Sequence, residues 1–270
     1  MLRLGTTFIR IANLEQQLDF YQQVIGLQVH RQEGNTVFLG VGGNDLLGLI
    51  HTPNGKRLHG QNGLYHFALL LPSRRHLALT LRHFIETQTP LQGLSDHIVS
   101  EAIYLGDPEG NGIEIYADRP RERWHQNGEF HMATLPINVP DLLREAEGAD
   151  ISAHQLPSGT IMGHMHLHVN ALAEAAAFYQ ETLGMAMMMH IPTAGFLSYE
   201  GYHHHLGINT WAGRTQRADD ALGLAYFTVI LPEEELVQLP PQFTANARQQ
   251  DGGWMIADPS LNQVFVTAAS

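Results

Sequence analysis

The chain has 270 residues, 44% of them hydrophobic, enough for one large domain or two of about 130 residues each. A net charge of −12 excludes the basic surface that nucleic acid or an anionic membrane requires, and the absence of cysteine excludes disulfides, thiolate metal sites and a cysteine nucleophile. The first residues carry no long apolar stretch, and no run approaches the roughly 18 apolar residues of a membrane span, so a cytoplasmic protein is expected. The 17 histidines are many for this length.

Along the chain, Phe8-Ile-Arg-Ile reads as a strand and is followed by an amphipathic helix carrying Leu14, Phe20 and Tyr21, closed by Gly26. Gly63-Leu-Tyr-His66-Phe-Ala-Leu-Leu-Leu is a second strand. Ala102-Ile-Tyr104-Leu and Ile113-Glu114-Ile-Tyr116 are strands joined by Asp107-Pro108-Glu-Gly110-Asn-Gly, a run rich in turn residues, so they are antiparallel neighbours. Alternation puts Glu114 on one face, either solvated or lining a pocket. Residues 119–161 form a long connection with a short helix at Val139-Pro-Asp-Leu-Leu-Arg, and Trp124 with its neighbouring arginines is expected to tie it down. His125, His131 and His154 in it have no partner at a readable spacing.

The second half repeats the first. Leu14, Phe20-Tyr21 and Gly26-Leu27 recur as Leu172, Phe178-Tyr179 and Gly184-Met185, each copy with an asparagine near the helix start as a candidate cap. Gly63–Pro72 recurs as Gly223–Pro232, and Asp107-Pro108 with Asn111 as Asp258-Pro259 with Asn262. The chain therefore divides into halves 1–118 and 162–270, each of two modules, at 5–52 and 63–118, then 162–212 and 222–268. Each module reads strand, helix, several strands. Met185–Met189 reads as a packed strand. Strand alternation through Tyr202–Trp211 puts His203, His205, Gly207 and Asn209 on one face and His204 on the other.

From His97 through Tyr104, Asp107-Pro108-x-Gly110 and on to Glu114, the chain resembles the motif of the type I extradiol ring-cleavage dioxygenases of the vicinal oxygen chelate superfamily; Ser95 departs from the residues usual at its position. The duplicated array resembles the same superfamily, which implies an α+β fold of four βαβββ modules whose mixed sheets curl into cups. There, metal ligands come from the first and last strands of modules. The corresponding positions are Thr6, His66, His164 and Tyr226, and Gly48, Glu114, Gly207 and Phe265. Only His66, Glu114 and His164 can bind a metal, and they meet only if module 2 pairs with module 3. The other cup, from modules 1 and 4, is then structural.

Two histidines and one carboxylate form the facial set that suits Fe(II), with Mn(II) the nearest substitute, and Gly207 is expected to leave room for substrate oxygens and O2. The resemblance implies extradiol cleavage of a small aromatic diol, with His97 as acid/base and Tyr104 as a hydrogen bonder to the substrate; strand alternation makes His205 the candidate for a further acid/base or substrate hydrogen bonder, with His203 next. A glyoxalase-like lyase or isomerase would need a fourth ligand, for which His205 is the candidate, and would take Zn(II) or Ni(II). A non-enzymatic binder of the bleomycin-resistance kind would need an aromatic-lined cup without metal. Oligomeric state is open, a homo-oligomer included.

Overall fold

Module 1 runs β1 (Arg3–Ile11), α1 (Leu14–Asp19, continued by the π-helical Phe20–Ile25), β2 (Gln28–Glu33), β3 (Thr36–Val41) and β4 (Asn44–His51). Module 2 runs β5 (Gly63–Leu70), α2 (Arg74–Glu86), β6 (Gly93–Asp96), β7 (Ser100–Gly106) and β8 (Gly112–Asp118). The connection holds a small hairpin, β9 (His125–Gln126) and β10 (Glu129–Phe130), and α3 (Val139–Arg144). Module 3 is β11 (Ile161–His168), α4 (Leu172–Leu183), β12 (Ala186–Ile191), β13 (Ala194–Ser198) and β14 (Leu206–Asn209). Module 4 is β15 (Gly223–Leu231), the short α5 (Glu233–Val237) and α6 (Pro241–Asn246), then β16 (Arg248–Gln250), β17 (Gly253–Ala257) and β18 (Gln263–Ala268). This computed structural model describes residues 2–58, 60–150, 154–213, 218, 220–250 and 252–269. Among them, no helix is long and apolar enough to cross a membrane.

The modules assemble into two eight-stranded mixed sheets. One has the order β16-β17-β18-β15-β1-β4-β3-β2 and the other β12-β13-β14-β11-β5-β8-β7-β6. Module 1 thus shares a sheet with module 4, and module 2 with module 3, through the antiparallel pairs β1/β15 and β5/β11. Each sheet has one face toward a cup and one toward the core. On β11, Met165 and Leu167 are in the core while His164, His166 and His168 share the other face. On β1, Ile9 and Ile11 belong to the same core, and the buried Thr7 hydroxyl donates to Met165 Sδ at 3.2 Å where the sheets touch.

The repeated Asp-Pro turns hold the two sheets together. Asp107 Oδ1 accepts from the backbone N–H groups of Glu109 and Asn111, and its Oδ2 accepts from Tyr21 Oη at 2.9 Å. Asp258 does the same with Ser260, Asn262 and Tyr179 Oη, the last at 3.0 Å. The Glu109 carboxylate also takes the N–H groups of Ala12 and Asn13 where β1 ends, and Ser260 Oγ takes that of Asn170. Asn13 caps α1 as expected. Asn170 does not cap α4: Ala171 stands at the cap position, and the Asn170 side-chain oxygen accepts no helix N–H. Gly26 and Gly184 close their helices in the left-handed conformation, φ 87° and 69°, that glycine adopts without a Cβ penalty.

Candidate metal centre and active site

β5, β8 and β11 are central strands of the second sheet, and together they send His66, Glu114 and His164 into its cup. Glu114 Oε2 lies 3.1 Å from His66 Nε2 and 3.0 Å from His164 Nε2. One donor atom from each of the three falls within 4.8 Å of the others, and all three residues are buried. The module 2/3 pairing expected from the ligands is the pairing observed. Burial alone would push the Glu114 carboxyl up. The imidazoles of His164 and His66 overcome that and hold it well below the usual carboxylate range. Burial lowers His164 despite Glu114, so its neutral, metal-ligating form is favoured. His66 Nε2 has no hydrogen-bond partner of good geometry. Buried nitrogens converging on one carboxylate oxygen, with donors left over, fit a divalent cation.

Above the triad lies a cavity of about 610 Å³. Its polar side comes from module 2 and the connection. His97 Nδ1 donates to the Ala133 carbonyl at 2.8 Å, so in the neutral ring Nε2 accepts from Tyr104 Oη at 2.7 Å. Tyr104 pairs with Glu114 across β7 and β8, and burial followed by the Glu114 charge pushes its phenol well above the ordinary value, keeping the proton on it. The backbone around His97 is held firmly. Ile98 sits at φ 70°, a conformation β-branched residues rarely adopt; its N–H donates to Asp96 Oδ1, and Arg119 binds both Asp96 oxygens. Met132, Ala133 and Thr134 line the cavity, so the connection is part of the site.

The triple histidine departs from the alternation expected of it. β14 begins only at Leu206, and Glu200 and Gly201 lead into 203–205 through a left-handed turn (φ 52° and 68°), so period two does not extend back through these residues. His204, expected to point away, lines the cavity, its ring centroid 4.1 Å from that of His164. His205, expected on the cup face, instead binds Ser198 Oγ at 3.1 Å and the Tyr199 N–H through its Nδ1, and lies outside the cavity lining and the metal-competent group. Burial lowers its pKa to about 4. His203 is fully buried, with Nε2 on Asp118 at 2.9 Å and Nδ1 on His204 Nδ1 at 2.9 Å. Trp124 packs against Tyr202 and His203, tying down the connection as expected.

The space expected beside Gly207 is not open. His166, paired with Gly207 across β11 and β14, lays its ring over that glycine so closely that a Cβ there would fall 2.8 Å from His166 Cγ. His166 lines the cavity, and its buried Nε2 has no partner. The residues missed from the sequence are thus His166 and His204. The alternation His164-x-His166-x-His168 on one strand carried the signal for His166; nothing local carried it for His204. Met189, read as part of a packed strand, also lines the cavity.

Residues 3–115 match the family model described as the Glyoxalase/Bleomycin resistance protein/Dioxygenase superfamily. The whole chain is similar to the catechol-2,3-dioxygenase of Bacillus subtilis (strain 168), at 40% identity over 277 residues, covering 98% of this chain and 96% of that one. The fold is shared with glyoxalase I from Zea mays (TM-score 0.63, 14% identity, 99% of this chain and 92% of that one) and with the cppA protein from Streptococcus pneumoniae TIGR4 (TM-score 0.61, 11% identity, 99% and 100%). The chain belongs to the glyoxalase, bleomycin resistance protein and dioxygenase superfamily and, within it, to the extradiol dioxygenases of the catechol 2,3-dioxygenase kind.

Proposed function

We propose that the protein opens the ring of a catechol-type aromatic diol with O2 at a carbon–carbon bond adjacent to the two oxygens, using Fe(II) held by His66, Glu114 and His164. The observation that carries the reading is the convergence of those three buried side chains from separate strands, which no packing requirement explains. When bound, the iron would supply the redox chemistry that lets a closed-shell aromatic react with dioxygen. Mn(II) suits the same donors. A fourth protein ligand, as the lyase reading requires, has no support among the described residues, where His205 lies outside the metal-competent group and its Nδ1 is bound to Ser198 and Tyr199.

The protein's own groups provide two routes for protons, one on each side of the cavity. On one, the Ala133 carbonyl fixes the proton on His97 Nδ1, which leaves His97 Nε2 as a base in contact with Tyr104. On the other, Asp118 fixes the proton on His203 Nε2. His203 Nδ1 then accepts from His204 Nδ1–H, leaving the His204 Nε2 lone pair available to a substrate hydroxyl. On this reading His204 takes the role first assigned to His205.

The test is anaerobic loading with Fe(II), addition of catechol, and admission of air. A yellow ring-opened semialdehyde with one O2 consumed per catechol is expected; no oxygen uptake on any catechol overturns the reading. His97→Ala should retain its iron and lose roughly 10²–10⁴ in turnover, the usual range for a general acid/base. Full turnover at saturating catechol would remove His97 from the chemistry.

A further inference from the structure

The hairpin that carries His97 is longer than its counterpart in the other cup. Tyr104 and Met255 stand at equivalent places, opposite Glu114 on β8 and Phe265 on β18. Across β6 and β7 Tyr104 pairs with Gly93, whereas across β16 and β17 Met255 pairs with Arg248, so the first hairpin spans four residues more. Its tip holds Asp96, His97 and Ile98. The added length brings a conflict, because Asp96 on β6 and Glu101 on β7 lie directly opposite each other, and facing like charges destabilise a strand pair. Arg119, just past β8, resolves it. Its Nη1 and Nη2 donate to the two Asp96 oxygens at 2.9 and 2.7 Å, and Nη2 lies 3.3 Å from Glu101 Oε1. Glu101, only 2% exposed, takes its second cation from Arg74 on α2, through Nε and Nη2, and Arg74 also donates to Asp141 of α3 at 2.8 Å. A buried carboxylate shared by two guanidiniums thus ties the tip of the hairpin to the helix of the connection.

We propose that Arg119, seated on Glu101, is a positioning residue for His97: it holds the hairpin tip in the shape that sets the His97 ring between the Ala133 carbonyl and Tyr104. Neither Arg119 nor Glu101 lines the cavity, so any part they play in turnover passes through the residues they hold. A clamp is needed because Ile98 is strained. At φ 70° a β-branched residue persists only where its surroundings over-determine it. Its N–H is bound to Asp96 Oδ1, the oxygen that Arg119 Nη1 fixes. The connection registers on the same aspartate. Leu135 exchanges both backbone hydrogen bonds with Asp96, two residues beyond the Ala133 that accepts from His97 Nδ1. Without Arg119 the two carboxylates repel, Asp96 turns away, Ile98 relaxes and His97 loses its fixed ring. What His97 does there rests on the ring-cleavage reading; the clamp itself does not.

Two readouts on the iron-loaded full-length protein test it separately. In Arg119→Ala, amide hydrogen exchange should quicken at 96–100 and 131–136 and stay unchanged in β1–β4. At saturating catechol its kcat should fall roughly 10–100-fold, the scale of a misplaced catalytic group, with iron content kept. Added guanidinium ion, well below denaturing concentrations, should return part of that loss and should return none to His97→Ala. In a His97→Ala background the Arg119 substitution should change kcat by less than about twofold, because the group it positions is gone. Glu101→Gln should show the same pattern more weakly. Should Arg119→Ala fail to fold, Arg119→Lys keeps the charge, loses the paired hydrogen bonds and carries the same expectations. An equal fall in kcat with and without His97 overturns the proposal. So does full turnover beside quickened exchange, or exchange at the hairpin that does not change. If the wild type cleaves no catechol, the ring-cleavage reading falls, and exchange at 96–100 and 131–136 still decides whether Arg119 holds the tip.

Discussion

The two cups share a backbone plan and differ in the ring that stands over one glycine. In the first sheet, Phe8 on β1 lies opposite Gly48 on β4, and a Cβ on Gly48 would fall 2.3 Å from the phenyl ring. In the second, His166 on β11 lies opposite Gly207 on β14, again too close for a Cβ. The phenyl of Phe8 stacks on Tyr226 at 4.3 Å and meets Phe38 edge-on at 5.7 Å, while Arg31 covers Phe38. That cup is lined by aromatic rings in contact with one another. In the other, the rings are imidazoles with unpaired nitrogens, and a cavity remains above them. One duplicated architecture thus yields a packed half and a reactive half, and the difference lies in whether the rings carry atoms that demand a partner.

The largest contrast is expected at the ligands. Replacing His66, Glu114 or His164 with alanine should abolish stoichiometric iron, a loss beyond the 10–100-fold typical of residues that only support a ligand. Phe8→Ala in the other cup should leave metal content intact and lower stability by about 3–5 kcal/mol at most, since Phe8 is only partly buried. Metal analysis and denaturant unfolding on the same four proteins measure both. Iron retained by the His164 variant would break the assignment of one site across modules 2 and 3. The paired glycines give a finer comparison. Gly207→Ala pushes the His166 imidazole and should lower turnover more than stability. Gly48→Ala pushes a phenyl ring and should cost about 1–3 kcal/mol of overpacking with turnover unchanged. Equal losses of turnover in both variants would show that the His166 ring has no special part.

Much of this contrast was legible in the sequence because a duplicated chain supplies its own control. His66, Glu114 and His164 stood out once the equivalent positions Thr6, Tyr226, Gly48, Gly207 and Phe265 were seen to carry neither imidazole nor carboxylate. The pairing of modules followed from the need to bring three residues together. His204 was not legible, because alternation holds only inside a strand and the turn at Glu200-Gly201 breaks the phase just before it. Nor was the part played by 119–161. The Ala133 carbonyl that orients His97 is a main-chain atom, and any residue type there would have offered the same acceptor. Asp107 was read as one piece of a motif with His97, Tyr104 and Glu114, yet its oxygens are taken by the turn and by Tyr21. Its repeat, Asp258, does the same in a cup that has no metal-competent group among the described residues.

That last equivalence carries the smallest expected effect and the sharpest use of the repeat. Tyr21 belongs to module 1 in the first sheet and Asp107 to module 2 in the second, whereas Tyr179 is in module 3 and Asp258 in module 4. The two hydroxyl–carboxylate bonds therefore join the sheets in opposite senses. Tyr21→Phe and Tyr179→Phe each remove one donor from a buried carboxylate that keeps its backbone N–H partners and an asparagine amide, Asn111 for Asp107 and Asn262 for Asp258. Each should cost about 1–2 kcal/mol in denaturant unfolding, with iron content unchanged. Because the two bonds share no partner, the double variant should lose the sum within about 0.5 kcal/mol. A Tyr21→Phe protein that loses iron while Tyr179→Phe does not would tie the Asp107 turn to the metal centre through β8, and the Asp-Pro element would then serve the site as well as the fold.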